Sequence, residues 1–163
     1  MKQSFFSLLL LTTLAVACKK GDTGPEGAPG IDGNANVTQY SFGPQNFAAS
    51  PYLTMSITTT QDTMNNSTWL VYLYHQQVSR WYFVPGQGYA GATFYRVSMG
   101  YANNKVNIYI DRDGPGENYS SAKVIRIYNN ISLPGGRTRL PHEAAGIDTR
   151  DYEAVRQFYG LRE

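Results

Sequence analysis

One cysteine and two histidines are all that this 163-residue chain offers in soft-metal and nucleophile chemistry. A lone thiol, Cys18, makes no internal disulfide, so whatever folds here must be held by packing. His75 and His142 lie far apart in the sequence, with no third histidine and no His-Glu-x-x-His pair, which removes the usual zinc signatures. Charge is scarce as well. Charged residues make up 16% of the chain and the net charge is +2, with both signs interspersed, so the one-sided basic stripe that nucleic acid requires is missing. Nucleic-acid partners are set aside. No Gly-x-Ser-x-Gly elbow, P-loop or dinucleotide fingerprint occurs, leaving the common hydrolase, NTPase and oxidoreductase signals unfilled. No residue set calls for a cofactor or a metal, and the chain reads as noncatalytic. A glycan-active enzyme stays as a second alternative, because the paired carboxylates of a glycosidase come from distant strands and leave no local motif.

Long apolar runs are also lacking. Phe5 to Leu11, behind basic Lys2, is too short to span a bilayer, which takes roughly 20 apolar residues, but it suits the n-region and h-region of a secretory signal. Leu14-Ala15-Val16-Ala17-Cys18 follows, and small Ala17 directly before Cys18 resembles the lipobox of bacterial lipoproteins, whose cysteine is diacylated and becomes the mature N-terminus. We therefore expect residues 1–17 to be cleaved and Cys18 to be the lipidation site. Two or more acyl chains moor a protein far more firmly than one, since each buried methylene contributes about 0.8 kcal/mol.

Glycine then recurs at Gly21, Gly24, Gly27, Gly30 and Gly33 with a strict period of three. Collagen needs that period because only hydrogen fits where three polyproline II chains meet. So few triplets, poor in proline, read first as a semi-extended tether, reaching on the order of 50 Å at about 3.1 Å per residue. The alternative is a homotrimer whose triplets start a real triple helix. Residues 18–35 are thus the lipidated cysteine and spacer, and 36–163 a single domain.

Within that domain the dominant pattern is period-two alternation cut by glycine, asparagine and proline turns, which predicts an all-β fold, an antiparallel β-sandwich or open barrel. Leu53, Met55 and Ile57 share one strand face, and Val106, Ile108 and Ile110 another. Trp69 to His75 is apolar on both faces, as a central strand would be. Arg80 to Val84 follows a short connection and is expected to end in a hairpin at Pro85-Gly86-Gln87-Gly88, residues that resist ladder pairing. Asn103-Asn104 suits a tight primed turn. Asp111-Arg112-Asp113-Gly114-Pro115-Gly116-Glu117 is the best cluster of hard oxygen ligands, yet it lacks the spacing of an EF-hand and carries Arg112 inside it, so it reads as a solvated loop. Near the end the period changes: Tyr152, Val155, Phe158 and Tyr159 fall at helical spacing, with Asp148 or Asp151 as N-cap and Gly160 as stop, predicting a short helix that packs on the sheet or seals an edge.

Aromatics are plentiful, with 13 tyrosines and two tryptophans. Tyr82, Phe83, Tyr89, Phe94 and Tyr95 crowd the Pro85 to Gly91 connection, and rings with a polar tip serve both cross-strand packing and the capture of sugars or protein loops. The candidate binding aromatics are Tyr89, Tyr82 and Tyr95, Tyr89 first because it sits between Gly88 and Gly91.

The order of these parts resembles a known group. Cys18-Lys19-Lys20, the run Gly21-Asp22-Thr23-Gly24-Pro25-Glu26-Gly27-Ala28-Pro29-Gly30, Asn34-Ala35-Asn36-Val37 leading into a β-rich domain, the Leu133-Pro134-Gly135-Gly136 loop and terminal Asp151-Tyr152-Glu153-Ala154-Val155 look like the collagen-like-repeat lipoproteins of the Bacteroidetes lineage, a family of unknown function. The resemblance implies an outer-membrane anchor facing the periplasm or the cell surface, and no catalytic residue. Asp62-Thr63-Met64 likewise resembles the Asp-Thr-aliphatic sequon of that lineage, making Thr63 a candidate O-glycosylation site. The expectation is an envelope lipoprotein with a noncatalytic β-domain, its partners the membrane through the lipid and a glycan or protein ligand.

Overall fold

Val106, Ile108 and Ile110 are fully buried while Lys105 and Tyr109 between and beside them are exposed, so the alternation written in the sequence is the alternation of the folded strand. The computed structural model describes residues 36–129 and 140–162; the expected signal, Cys18, the spacer and the Leu133 to Gly136 loop lie outside the described residues. In chain order the elements are β1 (Val37–Phe42), β2 (Gln45–Asn46), β3 (Tyr52–Thr58), α1 (Gln61–Asn65), β4 (Ser67–His75), β5 (Arg80–Val84), β6 (Gly86–Gln87), β7 (Phe94–Ala102), β8 (Lys105–Asp113), β9 (Asn118–Tyr119), β10 (Ser121–Tyr128), α2 (Pro141–Ala144) and α3 (Tyr152–Phe158). Among the described residues no helix is long and apolar enough to cross a membrane.

Two four-stranded antiparallel sheets form, in the orders β1-β10-β4-β5 and β3-β8-β7-β6, with β2 and β9 as a small separate ribbon. Register puts Met55 opposite Ile108 and Ile57 opposite Val106 in one sheet, and Val124 opposite Val71 and Ala122 opposite Leu73 in the other. These side chains meet in one core with Phe47, Tyr95 and Tyr119, so the architecture is a β-sandwich, and no closed barrel forms among the described residues. Asn103 and Asn104 take φ of 52° and 57° in the turn joining β7 to β8, the left-handed region their short polar side chains tolerate.

Strand β4 lies inside its sheet and is buried on both faces, as its sequence suggested. Val71 and Leu73 enter the sandwich, whereas Leu70 and Tyr72 face outward with Ile125 and Ile127. That outer face is covered by the C-terminal segment. Tyr152, Val155, Tyr159 and Leu161 pack on it, each such burial contributing about 1.5–3 kcal/mol. Asp151 is the cap of α3, its Oδ1 accepting the N–H groups of Glu153 and Ala154 at 2.9 and 3.2 Å, and Gly160 follows the helix with φ of 61°. The Tyr72 hydroxyl adds a bond to the Thr149 carbonyl at 2.6 Å.

Two expectations are corrected. The Pro85 to Gly88 stretch does not turn β5 back on itself: the chain leaves one sheet after Val84 and enters the other, where Gly86 pairs with Tyr95 and Gln87 with Phe94. Glycine pairs here because Gly86 lies too close to the Phe83 carbonyl, 2.8 Å from where a Cβ would sit, for any other side chain. Asp111 to Asp113 is not loop but the end of β8, paired with Tyr52 and with Phe94 to Arg96. Arg112 ties this end of the strand to its surroundings, donating from Nε to the Ser50 carbonyl at 3.1 Å and from Nη1 to the Gly114 carbonyl.

Candidate functional site

Two concave places lie on either side of the short Gln76–Val78 turn between β4 and β5. The smaller, about 500 Å³, is lined by Tyr89, the first of the candidate aromatics, together with His75 and Glu117. Glu117 is 8% exposed and its carboxylate is held from within the fold: Oε2 accepts the Tyr89 N–H at 2.9 Å and the Tyr119 hydroxyl at 2.5 Å, and Oε1 accepts the Ala90 N–H at 2.9 Å. Two successive backbone N–H groups thus grip one anion, and the anion is the protein's own. Gly88 permits the approach, since a Cβ there would sit 2.1 Å from Oε2. Burial, and then the Glu117 hydrogen bond, push the Tyr119 phenol far above its usual value. Burial and the Glu117 charge raise that of Tyr95 to about 12.

Of the three candidate aromatics Tyr89 is the exposed one, at 41%, lying flat on His75 with ring centroids 3.8 Å apart and planes 28° from parallel. Tyr95 is corrected to a core residue: it is fully buried, 4.9 Å from the Phe47 ring, and its hydroxyl accepts the Glu117 N–H at 3.2 Å. Tyr82 is half-buried and points inward to the edge of Tyr119, 6.2 Å away. Tyr82 and Tyr95 meet the Tyr119 ring inside the sandwich instead of sharing a surface with Tyr89, because each sits at an inward position of its strand while Tyr89 lies in the loop after β6. Thr63 sits in α1, half-buried, its hydroxyl 2.9 Å from that of the N-cap Thr60. His142 is buried in the C-terminal segment, with Nδ1 2.6 Å from the Tyr159 hydroxyl.

The larger place is a groove of about 860 Å³ over the outer face of β5, walled on one side by the Asp148 to Glu153 stretch. Tyr74 and Trp81 are cross-strand partners, and Trp81 stands between Tyr74 at 4.8 Å and Tyr152 at 4.4 Å, so three rings make one aromatic wall. Lys123 rises from β10 at its base. The ammonium donates to the Tyr152 hydroxyl at 2.7 Å and lies 5.3 Å from the Trp81 ring centre and 5.1 Å from that of Tyr152, a placement that lets π-faces offset the burial of its charge. Arg150 holds Asp148 through two bonds at 2.9 and 3.0 Å on the exposed rim, which keeps the Asp148 carboxyl below its usual range. Glu153 accepts from Arg156 at 2.7 Å.

None of Tyr74, Trp81, Lys123 and Tyr152 was singled out from the sequence as a binding residue. Two signals were there: the four-residue connection after His75 sets Tyr74 against Trp81, and Lys123 interrupts an apolar strand. No family model, no curated protein and no solved structure matches this chain.

Proposed function

We propose that this chain is a membrane-anchored envelope lipoprotein, acylated at Cys18, whose β-sandwich is a noncatalytic binding domain that takes its ligand in the groove over β5. The observation that carries the reading is the groove itself. An open concavity with an aromatic wall and a few charged groups on its rim is the usual make-up of a ligand site, and its volume lies in the usual range. Tyr89 and Glu117 are better explained as a structural clasp, since the carboxylate already has three donors from within the fold. The Gly-x-y stretch then lifts the domain from the lipid surface.

A benzophenone side chain introduced at Arg80, on the groove, is expected to cross-link an envelope component in living cells, while the same group at Arg96 on the opposite sheet does not. Equal capture at both positions overturns the groove as the ligand site. Mass spectrometry of the native protein is expected to find Cys18 at the N-terminus carrying acyl chains, and a bare sulfur removes the anchor.

A second reading, a glycan-active enzyme, has one observation in its favour: Asp148, Asp151 and Glu153 all line the same groove. A general acid needs a raised carboxyl pKa, whereas that of Asp148 is lowered. Release of reducing ends from a polysaccharide, abolished in Asp151→Asn or Glu153→Gln, would establish it.

A further inference from the structure

The composition of the groove narrows its ligand. We infer that it binds a neutral oligosaccharide, with one pyranose ring laid against Trp81 and Tyr74 and its hydroxyls held by the rim; this rests on the groove's being the ligand site.

The axial C–H groups of a pyranose form an apolar face that stacks on an aromatic ring, and Trp81 and Tyr74 offer two adjoining rings that are only half-buried and line the groove. Every sugar hydroxyl both donates and accepts, so its edge needs partners of both kinds. The groove supplies them. Lys123 and Arg80 donate, and Asp148 and Asp151 accept. Asp151 gives Oδ1 to the helix cap, and neither of those bonds uses Oδ2. Ser79 and Ser121 add hydroxyls that serve either way.

Charge balance argues against other ligands. Arg80, Lys123 and Arg150 face Asp148, Asp151 and Glu153, so the lining has no net charge with which to attract a phosphate or polyanion. An apolar ligand would strip water from those charges without replacing its hydrogen bonds. A neutral polyol replaces them, and a shallow open groove lets water complete the contacts.

The test uses the full chain in a polyoxyethylene detergent, which brings no sugar headgroup, with tryptophan emission and calorimetry against cellohexaose, mannohexaose and xylohexaose, and against hexagalacturonate as the acidic counterpart. At least one neutral hexasaccharide is expected to bind, about tenfold more weakly to Trp81→Ala. Asp148→Asn, an exposed rim change that leaves the wall intact, is expected to weaken the same sugar, and Tyr52→Ala on the other sheet to leave it unchanged. Preference for hexagalacturonate overturns the neutral class while leaving the groove as the site. Binding that neither Trp81→Ala nor Asp148→Asn alters places the sugar elsewhere and overturns both readings. If no saccharide binds while Arg80 still captures an envelope component in cells, the inference fails and the binding domain stands.

Discussion

Glu117 shows how much of a residue's role is decided by partners that are distant in sequence. Read along the chain it closes a polar run, and nothing local distinguishes it from the exposed Asp113. In the fold it turns inward to the N–H groups of Tyr89 and Ala90, pinning the loop between β6 and β7 to the start of β9. Glu117→Gln replaces one acceptor oxygen by a donor amide, so one of these N–H groups loses its bond. Leaving a buried donor unpaired costs about 1–3 kcal/mol, which urea unfolding is expected to register as a lowered midpoint with unchanged slope. An unaltered midpoint would mean that the clasp contributes nothing. Tyr95 teaches the same lesson in reverse, since its neighbours in sequence suggested a surface cluster but its parity in β7, set against Arg96 and Phe94, sends it to the core.

Among the elements, α3 was legible because its apolar spacing, Asp cap and terminal glycine are all local signals. Its docking place was narrowed to the sheet or an edge, and the fold puts it on the sheet. A helix this short is stable only with its apolar face covered, and the cover is the outer face of β4 and β10. His142 belongs to this layer, and burial holds its imidazole below the usual value of 6.5, with the Glu143 charge acting the other way. The unfolded segment therefore binds a proton more readily than the folded one on acidification. The contribution of this layer is whole above about pH 6.5 and is lost progressively as the pH falls towards the depressed folded-state value. Hydrogen exchange of the amides in 140–161, corrected for intrinsic rates, is expected to show more frequent opening at about pH 5.5 than at about pH 7.5. His142→Gln keeps a polar partner for Tyr159 without the titration and should flatten the dependence; an unchanged slope would assign it to another group.

At the scale of the whole molecule, glycine triplets that only space the domain and triplets that also assemble it predict different masses in solution. Four triplets bury little, and their proline content is too low to pre-order three chains, so the tether reading predicts a monomer. Sedimentation of the soluble chain with and without residues 19–36 is expected to give the same monomeric mass; a trimer lost on deletion would establish a triple-helical stalk. Strand content, the Asn103-Asn104 turn, the doubly buried β4 and the terminal helix were determined by the sequence alone, because period, turn chemistry and capping act over a few residues. The sheet switch after Val84, the clasp on Glu117 and the union of Trp81, Tyr74, Tyr152 and Lys123 into one groove were decided only by the tertiary structure. Each depends on which strands pair and which face is covered, and those are settled by burial of apolar surface across the whole domain rather than by neighbours along the chain.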